Sequence, residues 1–253
     1  MQQGIALYKK GDFRRALASF DKAIAAEPKN PVTYVLRGKV KYRLFDFDGA
    51  IADQTQAIKL DPKLAEAYAD RGVMRLAKGD ADGAIADHTQ AIVLNRKYAQ
   101  AYNNRGFARI RKSDLDGALI DFNYALKLNP FYAEAYVNRG SIYLEKRKFE
   151  EALNDATRAL AIDPKLDGAY NLRGRIYLRE GKNKVAIEEF DKALEINPKL
   201  ATAFFGRGTA RIALNELTKG LADLQQAVSL VPALKPQAAS LIEKAEKGLK
   251  QSK

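Results

Sequence analysis

Between residues 99 and 132 (AQAYNNRGFARIRKSDLDGALIDFNYALKLNPFY) the apolar positions fall into two blocks. Tyr102, Gly106, Ala108 and Ile110 mark the first, and Leu115, Ala118, Leu119, Phe122, Ala125 and Leu126 the second. The second block keeps the three- and four-residue spacing of one helix face. An Asp-rich turn separates the blocks, and Asn-Pro follows, where a residue with no N–H and a fixed φ stops a helix. The pattern therefore predicts helix, turn, helix. The same landmarks return at every shift of 34 residues. Glycines stand at 4, 38, 72, 106, 140, 174 and 208, and alanines at 23, 57, 91, 125, 159, 193 and 227. Prolines stand at 28, 62, 130, 164, 198 and 232, with Arg96 in the vacant slot. A strict period of this length predicts a repeat solenoid. The copies run 1–30 (incomplete), 31–64, 65–98, 99–132, 133–166, 167–200 and 201–234, followed by a tail, 235–253, that breaks the pattern.

The glycine and the two alanines of each copy lack bulk, which lets paired helix backbones approach closely. At these residues the chain resembles the tetratricopeptide repeat family, whose pattern is an aromatic, Leu-Gly, an aromatic, Ala, Phe, Ala and Pro. The first aromatic is Tyr34, Tyr68, Tyr102, Tyr136, Tyr170 or Phe204, and the second small residue Ala16, Ala50, Ala84, Ala118, Ala152, Ala186 or Gly220. Two features depart from the family pattern. Arg replaces Leu before the glycine in six copies, in the manner of a bacterial-type repeat, and the Phe slot holds Phe20, Gln54, His88, Phe122, Ala156, Phe190 and Leu224. The resemblance implies an all-α, right-handed superhelix of seven helix-turn-helix repeats, 1–234, closed by a C-terminal capping helix and basic tail, 235–253.

Composition adds limits. A chain of 253 residues is long for one globular core, but a solenoid grows by adding neighbours. With 47% hydrophobic and 29% charged residues it reads as soluble and folded, and no apolar run is long enough to span a bilayer. No signal peptide follows Met1, and the first copy starts four residues into the repeat, so upstream residues are expected to have been trimmed. Cytoplasm and periplasm both stay open. With no cysteine, disulfides, thiol chemistry and cysteine metal sites are excluded.

Candidate chemistry is sparse. The turns Asp46-Phe-Asp-Gly, Asp80-Ala-Asp-Gly and Asp114-Leu-Asp-Gly invite a calcium reading. It fails because Leu44, Lys78 and Lys112 stand where a carboxylate is needed, and Thr55, Thr89 and Asn123 in the bidentate Glu slot. Caps for the second helix are the reading taken. The only histidine, His88, occupies the Phe slot with no second His or Cys, which predicts a packed imidazole. No phosphate loop or catalytic constellation is present, so a non-enzymatic protein without cofactor, metal or small-molecule substrate is expected. In the tail, Ala238, Leu241, Ile242, Ala245 and Leu249 form one stripe with Lys244, Lys247 and Lys250 outside it. That stripe predicts a cap over the last repeat rather than a membrane-surface helix.

The arginines carry the sharpest expectation. Arg37, Arg71, Arg105, Arg139, Arg173 and Arg207 precede the invariant glycine, and sixteen residues later stand Asp53, Asp87, Asp121, Asp155, Glu189 and Asp223. The first copy has Gln3 and Ser19 instead, so both charges vanish together. The paired loss predicts an Arg–carboxylate bridge between the two helices of each copy.

In the family resembled, first helices of successive repeats line a concave groove that holds a peptide or partner helix. Carried over, repeat positions 2, 5, 6, 9 and 13 point to Lys39, Arg43, Asn103, Asn104, Phe107, Arg111, Asn138, Asn171, Arg175 and Arg179. Only Asp70 and Glu145 bring acid to positions 6 and 13, so an extended, acidic peptide is the expected partner, threaded past side-chain amides. The chaperone-tail-binding arrangement of the family is absent: Gly168 and Leu172 stand where Lys and Arg are wanted. The formal charge of +12 is spread out, with +3 in the first copy and +3 in the tail. A nucleic-acid stripe with free aromatics is therefore not expected, although polyanion binding and a cell-envelope adaptor remain the alternatives.

Overall fold

The computed structural model describes residues 1–251, so the last two residues of the tail lie outside the described residues. Two compact units make up the chain, Met1–Pro130 and Phe131–Lys253. The first contains four helix pairs: α1 (Gln2–Lys9) with α2 (Phe13–Ala26), α3 (Pro31–Arg43) with α4 (Phe47–Leu60), α5 (Ala65–Ala77) with α6 (Ala81–Leu94), and α7 (Ala99–Arg111) with α8 (Leu115–Leu128). The second contains three: α9 (Ala133–Glu145) with α10 (Phe149–Ile162), α11 (Asp167–Arg179) with α12 (Asn183–Ile196), and α13 (Ala201–Ala213) with α14 (Leu217–Leu230). A 3-10 turn, Pro232–Leu234, leads into α15 (Lys235–Gln251). Among the described residues there is no strand, and no helix is long and apolar enough to cross a membrane. Within each unit the chain is an α-solenoid in which a pair packs on its sequence neighbours.

Local chemistry sets several of the boundaries. Asp46, Asp80 and Asp114 cap their second helices by accepting from the backbone N–H of Gly49, Gly83 and Gly117 at 2.9, 2.8 and 2.9 Å. A Cβ on Gly49 would lie 2.2 Å from Asp46 Oδ2, so the glycine makes room for the capping carboxylate. The turn before it needs one left-handed residue in every copy: Gly11, Gly79 and Gly181, but also Phe45, Ser113, Arg147 and Asn215 at φ between 57° and 63°. At the other end, Asp61, Asn95, Asp163 and Asn197 accept from the N–H two residues on, at 2.9 to 3.1 Å. Asn95 makes this turn in front of Arg96, and α6 still ends at Leu94. The side-chain turn thus ends a second helix without the proline.

The core is a seam of small residues with one large plug per copy. Ala16, Ala50, Ala84, Ala118, Ala152 and Ala186 are fully buried. The invariant glycine receives the Phe-slot side chain: ring carbons of Phe122 stand 2.9 Å from where a Cβ on Gly106 would sit, and Phe20 and Phe190 repeat the contact at Gly4 and Gly174. Where the slot holds Ala156, Leu172 from the next copy fills the space, its Cδ2 2.8 Å from a Cβ built on Gly140. Leu172 is buried in one cluster with Ala152, Ala156 and Ile176. At the C-terminus α15 lays Ala238 and Ala245 on Ile212 and Leu224, with Leu241 and Ile242 beside them. Lys244 and Lys247 stay exposed. The apolar stripe of the tail covers the end of the last pair, as a terminal cap must.

Candidate functional site

All six arginines of the ladder reach their acids. Arg37, Arg71, Arg105, Arg139 and Arg207 each grip Asp53, Asp87, Asp121, Asp155 or Asp223 through Nε and Nη2, at 2.6 to 3.0 Å. Arg173 brings both nitrogens to one oxygen of the longer Glu189, and Lys192 takes the other at 3.1 Å. The acids are buried. Each guanidinium also stacks at 5.3 to 5.6 Å on the aromatic three residues earlier, Tyr34, Tyr68, Tyr102, Tyr136, Tyr170 or Phe204. Nη1 then ties back to the preceding copy: Arg37 to Asp21, Arg71 to Thr55, Arg105 to Thr89 and Arg207 to Asp191. One side chain therefore joins two second helices as well as its own pair.

The sequence reading missed a second cation. Lys41, Arg75, Arg109 and Arg211, one helical turn after the ladder arginine, pair with the same aspartates at 2.7 to 2.9 Å. Lys41, Arg75 and Arg109 also donate to the carbonyls of Gly49, Gly83 and Gly117. Tyr143 and Tyr177 replace this cation in copies five and six, where Lys148 and Lys182 take the capping slot and lie over those rings. With one guanidinium in place of two cations, burial lifts the Asp155 carboxyl above its ordinary range despite Arg139. The signal was present as a basic residue at i+4 in four copies.

Each unit has a cleft on its first-helix face. In Met1–Pro130 a cleft of about 340 Å³ lies between α5 and α7, walled by Val73, Leu76 and Ala77 on one side and Asn104, Phe107 and Arg111 on the other. Tyr42 borders it and His88 touches its floor. In Phe131–Lys253 a cleft of about 650 Å³ lies between α11 and α13, walled by Arg175, Leu178, Arg179, Thr202, Phe205 and Thr209, with Leu234 at its edge. Five of the ten residues singled out from sequence therefore line clefts. Asn104, Phe107 and Arg111 meet in one, and Arg175 and Arg179 in the other.

Their remaining companions are engaged otherwise. Lys39 pairs with Glu66 and, at 3.3 Å, with Asp70. Burial pushes the Asp70 carboxyl up to about 6, against the pull of Lys39. Arg43 is exposed, its guanidinium 5.2 Å over Phe13. Asn103 is buried and donates to Asn104 Oδ1 at 3.3 Å, so its amide is turned along the helix. Asn138 and Asn171 are half-buried outside the cleft walls, Asn171 with Oδ1 unpartnered. Arg175 donates to Glu145 at 3.1 Å, and desolvation lowers its pKa. The acids at positions 6 and 13, Asp70 and Glu145, thus each pair with a cation from a neighbouring copy, whereas Arg43, Arg111 and Arg179 stay exposed. The apolar walls at Tyr42, Val73, Leu76, Leu178 and Phe205 were not anticipated, although repeat position 12 (Tyr42, Leu76 and Leu178) repeats on schedule.

His88 is fully buried in the Phe slot with its N–C–N edge against Gly72 and neither ring nitrogen partnered. Desolvation, then the charge of Arg105, lowers its pKa to about 4. It is a neutral packing residue at neutral pH. Among the described residues no group of His, Asp and Glu could hold a metal ion.

Comparison with known proteins agrees with this architecture. Family models described as tetratricopeptide repeat match residues 1–34, 35–102 and 133–166, and one described as TPR repeat matches 174–211. No curated protein matches the chain. Among solved structures, the Cut9–Hcn1 hetero-tetramer of the APC/C superposes with a TM-score of 0.86 at 16% identity, over 96% of this chain and 48% of that one. The chain therefore spans about half the length of that protein. A tetratricopeptide repeat protein from Parabacteroides merdae gives a TM-score of 0.75 at 21% identity, over 97% of this chain and 96% of that one. MamA gives 0.55 at 30% identity, over 65% of this chain and 96% of that one. Seven registered helix pairs, their small-residue seams and these matches together place the chain in the tetratricopeptide repeat family.

Proposed function

We propose that the chain is a non-enzymatic adaptor whose first-helix clefts bind acidic segments of a protein partner through apolar anchor residues. The tetratricopeptide fold is a protein-interaction scaffold, presenting a first-helix surface to its ligands. One observation carries the finer reading: both clefts are apolar-walled and rimmed by arginine, Arg111 in one and Arg179 in the other. Phe107 lies 45% exposed on the cleft wall, ready to cover an aliphatic or aromatic side chain. Carboxylates flanking that side chain meet Arg111 or Arg179, and the Asn104 amide can bond the ligand backbone.

This refines the expectation of a ligand threaded past a row of amides. Asn103 is turned along its own helix and Lys39 is held by two acids. Polyanion binding is less favoured, because the six ladder arginines and Lys41, Arg75, Arg109 and Arg211 lie in bridges to buried acids.

Phage-displayed peptides selected on the wild-type chain should converge on acidic sequences with one or two large apolar residues. Fluorescence anisotropy should show Arg111→Glu and Phe107→Ala weakening such a peptide at least tenfold when it occupies the first unit, and Arg179→Glu when it occupies the second. Melting temperatures should hardly move, since exposed charges contribute little to folding. Selected peptides that lack acid, or affinity unchanged in all three variants, would place the binding surface elsewhere.

A further inference from the structure

We propose that the outer face of α8 is a second docking surface, separate from the clefts, and that it fits an amphipathic helix of a protein partner carrying an apolar stripe with acidic flanks. The register of the repeats points to it. One exposed slot on the second helix holds Ala18, Ala52, Ala86, Asn154, Glu188 and Ala222, but Ile120 in copy four. A second slot, one turn on, holds Lys22, Gln56, Gln90, Arg158, Lys192 and Gln226, but Tyr124 in copy four. Ile120 is 55% and Tyr124 50% exposed, and Leu128 continues the line at i+8. Nothing in the folding of a pair requires large apolar residues at these two slots, because the six other copies carry only alanine or polar residues there.

Tyr124 is also rigid. Its ring stacks on Tyr102 with centroids 5.5 Å apart and planes 19° apart, and Tyr102 lies under Arg105, which grips Asp121. In copy six the corresponding Lys192 lies over Tyr170 but ends in a charge paired with Glu189. A pre-ordered aromatic flanked by aliphatic residues loses little side-chain entropy on binding, which is what an interface anchor needs. Residues spaced by four along one helix present a straight ridge, matched by the face of a second helix.

Charge selects the occupant. Lys127 stands on the same helix, and Arg96 and Lys97 follow α6, the neighbouring second helix that Arg105 ties to α8 through Thr89. All three are exposed, with no ion-pair partner among the described residues. A second copy would bring the same cations and a formal charge of +12 to the contact, so acidic flanks fit and self-pairing does not. Three apolar side chains fall short of a standard interface, so affinity of about 10–100 μM is expected for an isolated helix.

The test uses a stapled helical peptide with leucines at i, i+4 and i+8 and glutamates on its flanks, a version with the leucines scattered, and a version with lysine for glutamate. Nuclear magnetic resonance titration of the full chain should show the first perturbing Ile120, Tyr124 and Leu128, and the other two binding at least tenfold more weakly. Ile120→Ala with Tyr124→Gln copies what copies two and three already carry, so the fold is kept, and it should weaken the first peptide at least tenfold. In the Arg111→Glu and Arg179→Glu variants the perturbations at Ile120, Tyr124 and Leu128 should follow the same binding curve as in the wild type, which separates this surface from the clefts. Perturbations confined to the clefts, equal binding of the scattered peptide, or no binding at about 1 mM peptide would overturn the proposal. So would sedimentation showing a dimer that Ile120→Ala with Tyr124→Gln dissolves, since the occupant would then be a second copy.

Discussion

At the scale of single residues, the buried carboxylates divide by how many cations they face. Asp121 receives Arg105 and, at 2.9 Å, Arg109. Removing Arg105 alone therefore leaves a charged partner behind, and the clean test of the ladder lies at Asp155, where Tyr143 stands in place of the second cation. Arg139→Leu should cost about 3–5 kcal/mol, and Arg139→Leu with Asp155→Leu should recover most of it, because the penalty is an uncompensated buried charge. Arg105→Leu should cost less than Arg139→Leu. Urea unfolding of the four variants of each cycle measures both, and additive losses at Arg139 and Asp155 would mean no interaction.

His88 gives a pH signature. Its pKa is about 4 in the folded chain and about 6.5 unfolded, so the native state binds fewer protons between those values and loses stability as pH falls through them. Asp70 acts oppositely: raised to about 6 from about 3.9 unfolded, it binds more protons when folded and gains stability over much of the same range. In the wild-type profile these two contributions partly cancel. His88→Phe, the residue of copies one, four and six, should stabilise the chain by about 1–3 kcal/mol at pH 7.5, since two unpartnered buried nitrogens disappear. Its advantage should widen by up to about 3 kcal/mol toward pH 4. Denaturation midpoints at pH 7.5 and 4.5 decide it: a pH-independent gain would mean that His88 titrates as a solvated imidazole, and a shrinking gain that it is already protonated in the fold.

At the scale of elements, local side-chain devices set several of the helix ends, and the devices are interchangeable. Asn95 ends α6 without a proline, and Leu172 fills the hole beside Ala156 from another copy. The turn between paired helices is the exception in demanding a backbone shape: one residue at positive φ in every copy. Ser113 adopts it at φ 62° with no glycine to ease it. Ser113→Gly should therefore stabilise the chain by about 0.5–1 kcal/mol, the strain relieved less the chain entropy that glycine adds. Thermal unfolding measures the gain, and a loss would show that the Ser113 side chain contributes more than its backbone costs.

At the scale of the whole molecule, the period of 34 residues determined the architecture before any coordinates. Period and small-residue slots dictate helix pairs, because those spacings let each successive seam bury its small residues. The Arg–carboxylate ladder was legible for a related reason: Gln3 and Ser19 lose both partners together, and a repeat chain records its own compensations. What the sequence could not settle was how charges share partners in space. Repeat position alone put Lys39 and Arg175 among the ligand-binding cations, but Glu66, Asp70 and Glu145 come from neighbouring copies and claim them. Periodicity assigns a residue to a face, and that assignment is local. Whether a cation on the face is available to a ligand depends on side chains some thirty residues away, and only tertiary packing brings those within reach.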